Sequence, residues 1–132
     1  MDLRYFRDVD GREVDFVAPS NGGRKGIFTT DVSYSGRGFN LGDDERGGKD
    51  GLYTNDFGGT SSATPLAAGV GALVLSANPK LNREELRALL RETAEKIGSG
   101  YDRKGHSNQF GYGRIDAASA VAAAVAAKSA TA

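Results

Sequence analysis

The chain has 132 residues, the size of one ordinary domain, with 17 basic residues, 17 acidic residues and no cysteine. That balance offers no sequence-wide field to draw in nucleic acid or an anionic membrane, and the missing thiols exclude disulfides and thiolate metal sites. Alanine supplies 18 of the hydrophobic residues while Leu, Ile, Val and Phe together number 27, so core material is thin and the chain is expected to be part of something larger.

The first 20 residues alternate charges with aromatics, so no signal peptide is expected and the compartment stays unassigned. Residues 5–8 and 12–18 read as two strands joined by Asp10-Gly11, a favoured two-residue hairpin turn, with the second strand stopping at Pro19. Ile27 to Val32 reads as a third strand, giving a hairpin-and-strand region over 5–32. Residues 33–59 form a glycine-rich loop carrying Asp43, Asp44, Glu45, Asp50 and Asp56. These carboxylates could hold calcium, which takes several oxygen ligands, or simply be solvated; their spacing matches no EF-hand, and no metal ligand is assigned. The loop leads directly into Ser61 and is expected to border a cleft.

Next comes Gly59-Thr60-Ser61-Ser62-Ala63-Thr64-Pro65, followed by Leu66-Ala67-Ala68-Gly69-Val70-Gly71-Ala72-Leu73-Val74-Leu75-Ser76-Ala77-Asn78-Pro79. Gly58 and Gly59 allow backbone conformations closed to other residues and, with Thr60, form a hinge that another chain segment can approach closely. Pro65 suits the first turn of a helix, which places the start between Ser61 and Thr64 and the helix over 61–77. The free N–H groups there and the positive end of the helix dipole would favour negative charge developing beside the Ser61 oxygen, as in an acyl-transfer intermediate. The plainer function of such residues is capping, and Ser62 and Thr64 are read as caps. A phosphate-binding loop would need Lys beside the Ser or Thr, and none lies near Ser61. The Gly-x-Ser-x-Gly elbow of α/β-hydrolases has its acid and histidine after the serine, as Asp102 and His106 are here. It also needs an apolar strand leading in, whereas residues 53–57 are mostly polar. The helix itself is apolar nearly all round, predicting burial, and is read as too short and glycine-rich for a membrane span.

Asn82, with Glu85 three residues on, starts an amphipathic helix over 83–97, in which Leu86, Leu89, Leu90, Ala94 and Ile97 share a face. Residues 98–109 are a polar turn holding the sole histidine, His106. Asp116 is placed to cap an alanine-rich helix over 116–128 whose end frays.

The run from Gly59 to Pro79 resembles the serine-bearing motif of the subtilisin-like serine proteases (subtilases, peptidase family S8). Val17-Ala18-Pro19 is similar to the strand ahead of the family's serine loop, and Phe110-Gly111-Tyr112-Gly113-Arg114-Ile115-Asp116 to the segment before its last helix. The resemblance implies an α/β fold with a parallel sheet flanked by helices, of which residues 1–132 are an incomplete, C-terminal part. It implies Ser61 as catalytic nucleophile, the Ser61 backbone N–H as oxyanion donor, a peptide or protein substrate and a secreted relative. Such enzymes use Asp, His and Ser in that order. No histidine precedes Ser61, and neither the histidine nor the aspartate motif is recognisable; Asn21, Asn40 and Asn55 are not assigned as the oxyanion asparagine. The isolated chain is therefore expected to be inactive, with the missing N-terminal part as its natural partner. The alternative is a non-catalytic remnant of the fold that binds or supports.

Overall fold

The computed structural model describes residues 14–21, 26–32 and 37–130. Those between Pro19 and Ala63 fall in one compact unit; those up to Ala18 and from Thr64 onward fall in a second. The first arm and turn of the expected hairpin at 5–18 lie outside the described residues.

In the first unit, β1 (Ile27–Thr30) pairs antiparallel with β2 (Tyr53–Phe57), in the register Ile27 with Phe57, Thr29 with Thr54 and Thr30 with Tyr53. A residue is out of register between Ile27 and Thr29, as in a β-bulge. The strand at 53–57 corrects the reading of 33–59 as loop throughout. Its side chains alternate, with Thr54 buried between exposed Tyr53 and half-buried Asn55, and Tyr53 stacks on Phe28 across the pair at 5.5 Å. β1 ends two residues before the expected Val32, and beyond it the Asp31 carboxylate accepts the N–H groups of Val32 and Asn40. Asn40, nearly fully buried, then ties the loop together. Its amide donates to the Gly48 and Tyr53 carbonyls, and its oxygen accepts from Gly42 and Asp43, so every polar atom of the side chain is used.

Helix α1 (Thr60–Ala77) starts in the first unit and continues in the second. The second unit adds α2 (Arg83–Glu92) and α3 (Ala117–Ala130). Its buried apolar residues are Val17, Ala18, Val70, Val74, Leu89, Leu90, Ala94, Phe110, Ile115, Ala120 and Ala124. The stretch 14–18, expected as the end of a hairpin arm, pairs with 111–115: Val17 donates to the Gly113 carbonyl and accepts from Ile115, each at 2.9 Å. The parallel pairing that the family resemblance implies is represented among the described residues by the bridge of Val17 with Arg114. Gly113, at φ 130°, explains the glycine before Arg114, because a Cβ there would overlap the Glu95 carbonyl.

α2 begins with a capping box: the Asn82 side chain accepts the Glu84 and Glu85 N–H groups, and Glu85 reaches back to the Asn82 N–H. It ends at Glu92, short of the expected 97. Thr93 closes it, donating both N–H and hydroxyl to the Leu89 carbonyl, and Glu95 then exchanges two backbone hydrogen bonds with Arg114. Asp116 sits just before α3, accepting the Ser119 N–H and hydroxyl.

α1 is not enclosed as its composition suggests. Of the residues from Thr64 to Ala77, Val70, Gly71 and Val74 are buried, whereas Leu73 is 56% and Leu75 37% exposed. At 18 residues with a mean hydropathy of 1.3, α1 is long and apolar enough to cross a membrane, contrary to the sequence reading; the core helix of a water-soluble domain meets the same criterion.

Candidate active site

The chain enters α1 through Gly58 and Gly59, and Gly59 has φ 78°, in the left-handed region that favours glycine. Its carbonyl accepts the first-turn N–H groups of Ser62 (3.2 Å) and Ala63 (3.4 Å), so the helix starts at Thr60 and Gly59 occupies the cap position. This corrects three expectations. The helix begins ahead of the 61–64 start read from Pro65. Pro65 is its sixth residue, beyond the first turn, and has no N–H to offer the Ser61 carbonyl. Ser62 and Thr64 lie inside the helix instead of capping it, and the Ser62 hydroxyl turns back onto the Gly59 carbonyl at 2.9 Å.

Ser61 is the second residue of α1 and is exposed. Its N–H precedes any residue whose carbonyl could be an intrahelical partner, and neither its N–H nor its hydroxyl bonds another described residue. A hydroxyl and a backbone N–H therefore stand on one exposed residue at the positive end of a helix, where negative charge is favoured.

Two residues missed in the sequence border this turn. Asn21 Oδ1 accepts the Gly59 N–H at 2.8 Å, and Ser20 Oγ donates to the Gly59 carbonyl at 2.7 Å and lies 2.9 Å from Ser62 Oγ. A side chain on Gly58 would collide with Asn21, which is the close approach that the glycine permits. Nothing local signals the contact, since 38 to 42 positions separate the partners.

The residues considered for other roles are engaged elsewhere. In the second unit, His106 Nε2 lies 2.9 Å from the Val14 carbonyl, and its ring meets the Tyr112 ring edge-on at 5.2 Å. Asp102 does not orient that imidazole. Its carboxylate accepts the backbone N–H groups of His106 and Lys104, and the His106 bond foremost holds its pKa below the ordinary value. This removes the acid-then-histidine pairing of a hydrolase elbow. A strand, β2, does lead into the serine turn, but it is the mostly polar 53–57 segment and not the apolar strand that an elbow requires. Asp15 takes hydrogen bonds from both Arg87 (2.7 Å) and Arg91; burial pushes its carboxyl pKa up, but the two guanidinium groups outweigh this and hold it low.

The acidic loop does not gather ligands. Asp43 accepts the Glu45 N–H and pairs with Arg46, Asp56 pairs with Arg46, Asp44 with Lys49, and Asp50 accepts the Leu52 N–H. Among the described residues no three acidic or histidine side chains converge as a metal site.

The sequence pattern of the Subtilase family matches residues 14–113. The chain is 44% identical over 125 residues to the calcium-dependent protease of Nostoc sp. (strain PCC 7120), an alignment covering 89% of this chain and 19% of that protein. It is 45% identical over 78 residues to the PC3-like endoprotease variant B of Hydra vulgaris, covering 54% of this chain and 11% of that one. Among solved structures, a lanthipeptide protease superposes with a TM-score of 0.53 at 23% identity, over 73% of this chain and 28% of the other, a likeness of fold. The chain thus spans about a fifth of the length of the Nostoc protease. With the match running from Val14 through the Ser61 turn to Gly113, this chain belongs to the subtilase family.

Proposed function

We propose that the chain is the serine-bearing part of a subtilisin-like serine endopeptidase, with Ser61 as its nucleophile. The observation that carries this reading is the exposed Ser61 at the second position of α1 within the family match, its hydroxyl and N–H bonding no other described residue. Ser61 Oγ attacks the carbonyl carbon of a peptide while a histidine base takes its proton, and the Ser61 N–H donates to the oxygen that becomes negative. The proton passes to the departing amine, leaving an acyl-enzyme that water hydrolyses by the same steps, returning carboxylate and free Ser61.

The base and its aspartate come from outside this chain. No histidine precedes Ser61, and His106 is held against the Val14 carbonyl. In subtilisin, loss of the serine or the histidine alone costs about 10⁶-fold in turnover, so the chain by itself is expected to show negligible hydrolysis. The partner that restores it is the preceding part of a subtilase domain, whose sheet would cover the exposed apolar side of α1 at Leu73 and Leu75. Covered in this way, α1 is a core helix and not a membrane span. With no net charge, the chain is given no nucleic-acid role. The Nostoc relative is named calcium-dependent; among the described residues no three acidic side chains gather, and no step is assigned to calcium.

The test is complementation: the 132-residue chain is mixed with an N-terminal subtilase segment bearing the Asp and His motifs, and hydrolysis of a fluorogenic peptide is followed. A rate well above that of either part alone, abolished by Ser61→Ala, supports the protease reading. No gain from a mixture shown to associate would favour the non-catalytic alternative, which the lack of a histidine before Ser61 motivates.

A further inference from the structure

We propose that Ser20 and Asn21 are positioning residues for Ser61, forming a latch that acts through the Gly59 peptide groups. The inference rests on the reading of Ser61 as nucleophile, and neither residue is given contact with the reacting atoms.

Gly59 is the least restrained residue type at the place where restraint matters most, two positions before the nucleophile. Both of its polar ends are held. The N–H, part of the Gly58–Gly59 peptide plane, is taken by Asn21 Oδ1 at 2.8 Å. The carbonyl, part of the Gly59–Thr60 plane, faces Ser20 Oγ at 2.7 Å and Ser62 Oγ at 2.9 Å. The two hydroxyls are themselves 2.9 Å apart. Ser20 Oγ also lies 3.3 Å from Asn21 Oδ1, so the two hydroxyl protons are shared among four contacts that join Ser20, Asn21 and Ser62 around the Gly59 peptide groups.

The two planes on either side of Gly59 set its φ and ψ, and these set the direction in which Thr60 and Ser61 leave the turn. Releasing the latch would leave the helix intact, since the Ser62 and Ala63 N–H groups still close its first turn on the Gly59 carbonyl. What would loosen is the aim of Ser61 Oγ and of the Ser61 N–H. Misplacement on the order of 1 Å costs about 100-fold in an oriented reaction, so partial loosening is expected to cost about ten-fold or more in the chemical step. The arrangement also accounts for Gly58, where any side chain would displace Asn21.

The experiment measures fluorophosphonate labelling of Ser61 in the complemented protein for Ser20→Ala, Asn21→Ala and the double variant, resolving reagent affinity from the rate of covalent modification. The expected result is a modification rate lowered about ten-fold or more with reagent affinity unchanged, recovered in Ser20→Thr and Asn21→Asp, which keep the hydroxyl donor and the oxygen acceptor. Unchanged rates would overturn the proposal, as would losses that the conservative variants do not recover or that follow a fall in melting temperature. If the unsubstituted protein is not labelled, the nucleophile reading fails, and with it the positioning role. The latch is separately decided by amide hydrogen exchange at Gly59 in the full 132-residue chain. Slow exchange that quickens in Asn21→Ala retains the latch as a structural contact; fast exchange in the unsubstituted chain removes it.

Discussion

Gly59 combines a left-handed φ of 78° with a carbonyl that closes the first turn of α1. An L-residue held in that conformation costs about 1–2 kcal/mol, so Gly59→Ala is expected to lower stability by about that amount in a denaturant titration. An unchanged midpoint would show that the turn does not need the left-handed geometry. At this scale the sequence is informative about the nucleophile candidate, because Gly-Thr-Ser followed by a small-residue helix is a local pattern. It is silent about Ser20 and Asn21, whose partners lie 38 to 42 positions away. Nor does sequence spacing alone say what His106 and Asp102 do. They follow in hydrolase order, yet the carboxylate bonds the backbone of the histidine and not its ring.

The elements were legible where their signals are local and blurred where tertiary contacts decide. Asn82 and Glu85 announce the start of α2 because both halves of a capping box lie within one turn. Its end was overestimated because Ala94 and Ile97 continue the helical spacing, while Thr93 caps the helix and Glu95 is claimed by Arg114. β2 was hidden in polar sequence, since a strand with Thr54 alone fully inward leaves little apolar alternation to detect. Asn82→Ala should lower stability by about 1 kcal/mol through loss of the capping box, measured by urea unfolding. Val74, fully buried in α1, loses about two methylenes in Val74→Ala and should cost about 2 kcal/mol. A negligible effect at Val74 would mean that α1 is not packed there.

For the whole molecule, thin apolar content and an open α1 belong together. The composition of α1 suits an enclosed helix, whereas Leu73 and Leu75 remain exposed in a chain that spans about a fifth of its Nostoc relative. Charge contributes a pH dependence with a definite sign. Asp15, Asp31, Asp102 and Asp116 all have pKa values below the ordinary 3.8. At Asp31 the foremost cause is the Asn40 N–H, and at Asp116 the Ser119 N–H. A carboxylate whose folded pKa is depressed contributes stability that is present above its unfolded value and is lost as pH falls through the folded one. The urea midpoint should therefore stay level from neutral pH down to about pH 5 and fall below about pH 4, with a shallower fall in Asp15→Asn. A midpoint rising as the pH drops from about 4 to about 2 would contradict this assignment.

The identity of the nucleophile is tested most directly by covalent capture. The chain, complemented with the Asp- and His-bearing part of a subtilase domain, is treated with a fluorophosphonate and the modified residue located by peptide mass spectrometry. Modification is expected at Ser61, absent from Ser61→Ala and negligible in the chain alone. A folded, complemented protein left unmodified at Ser61, or modified equally in Ser61→Ala, would contradict its assignment as the nucleophile.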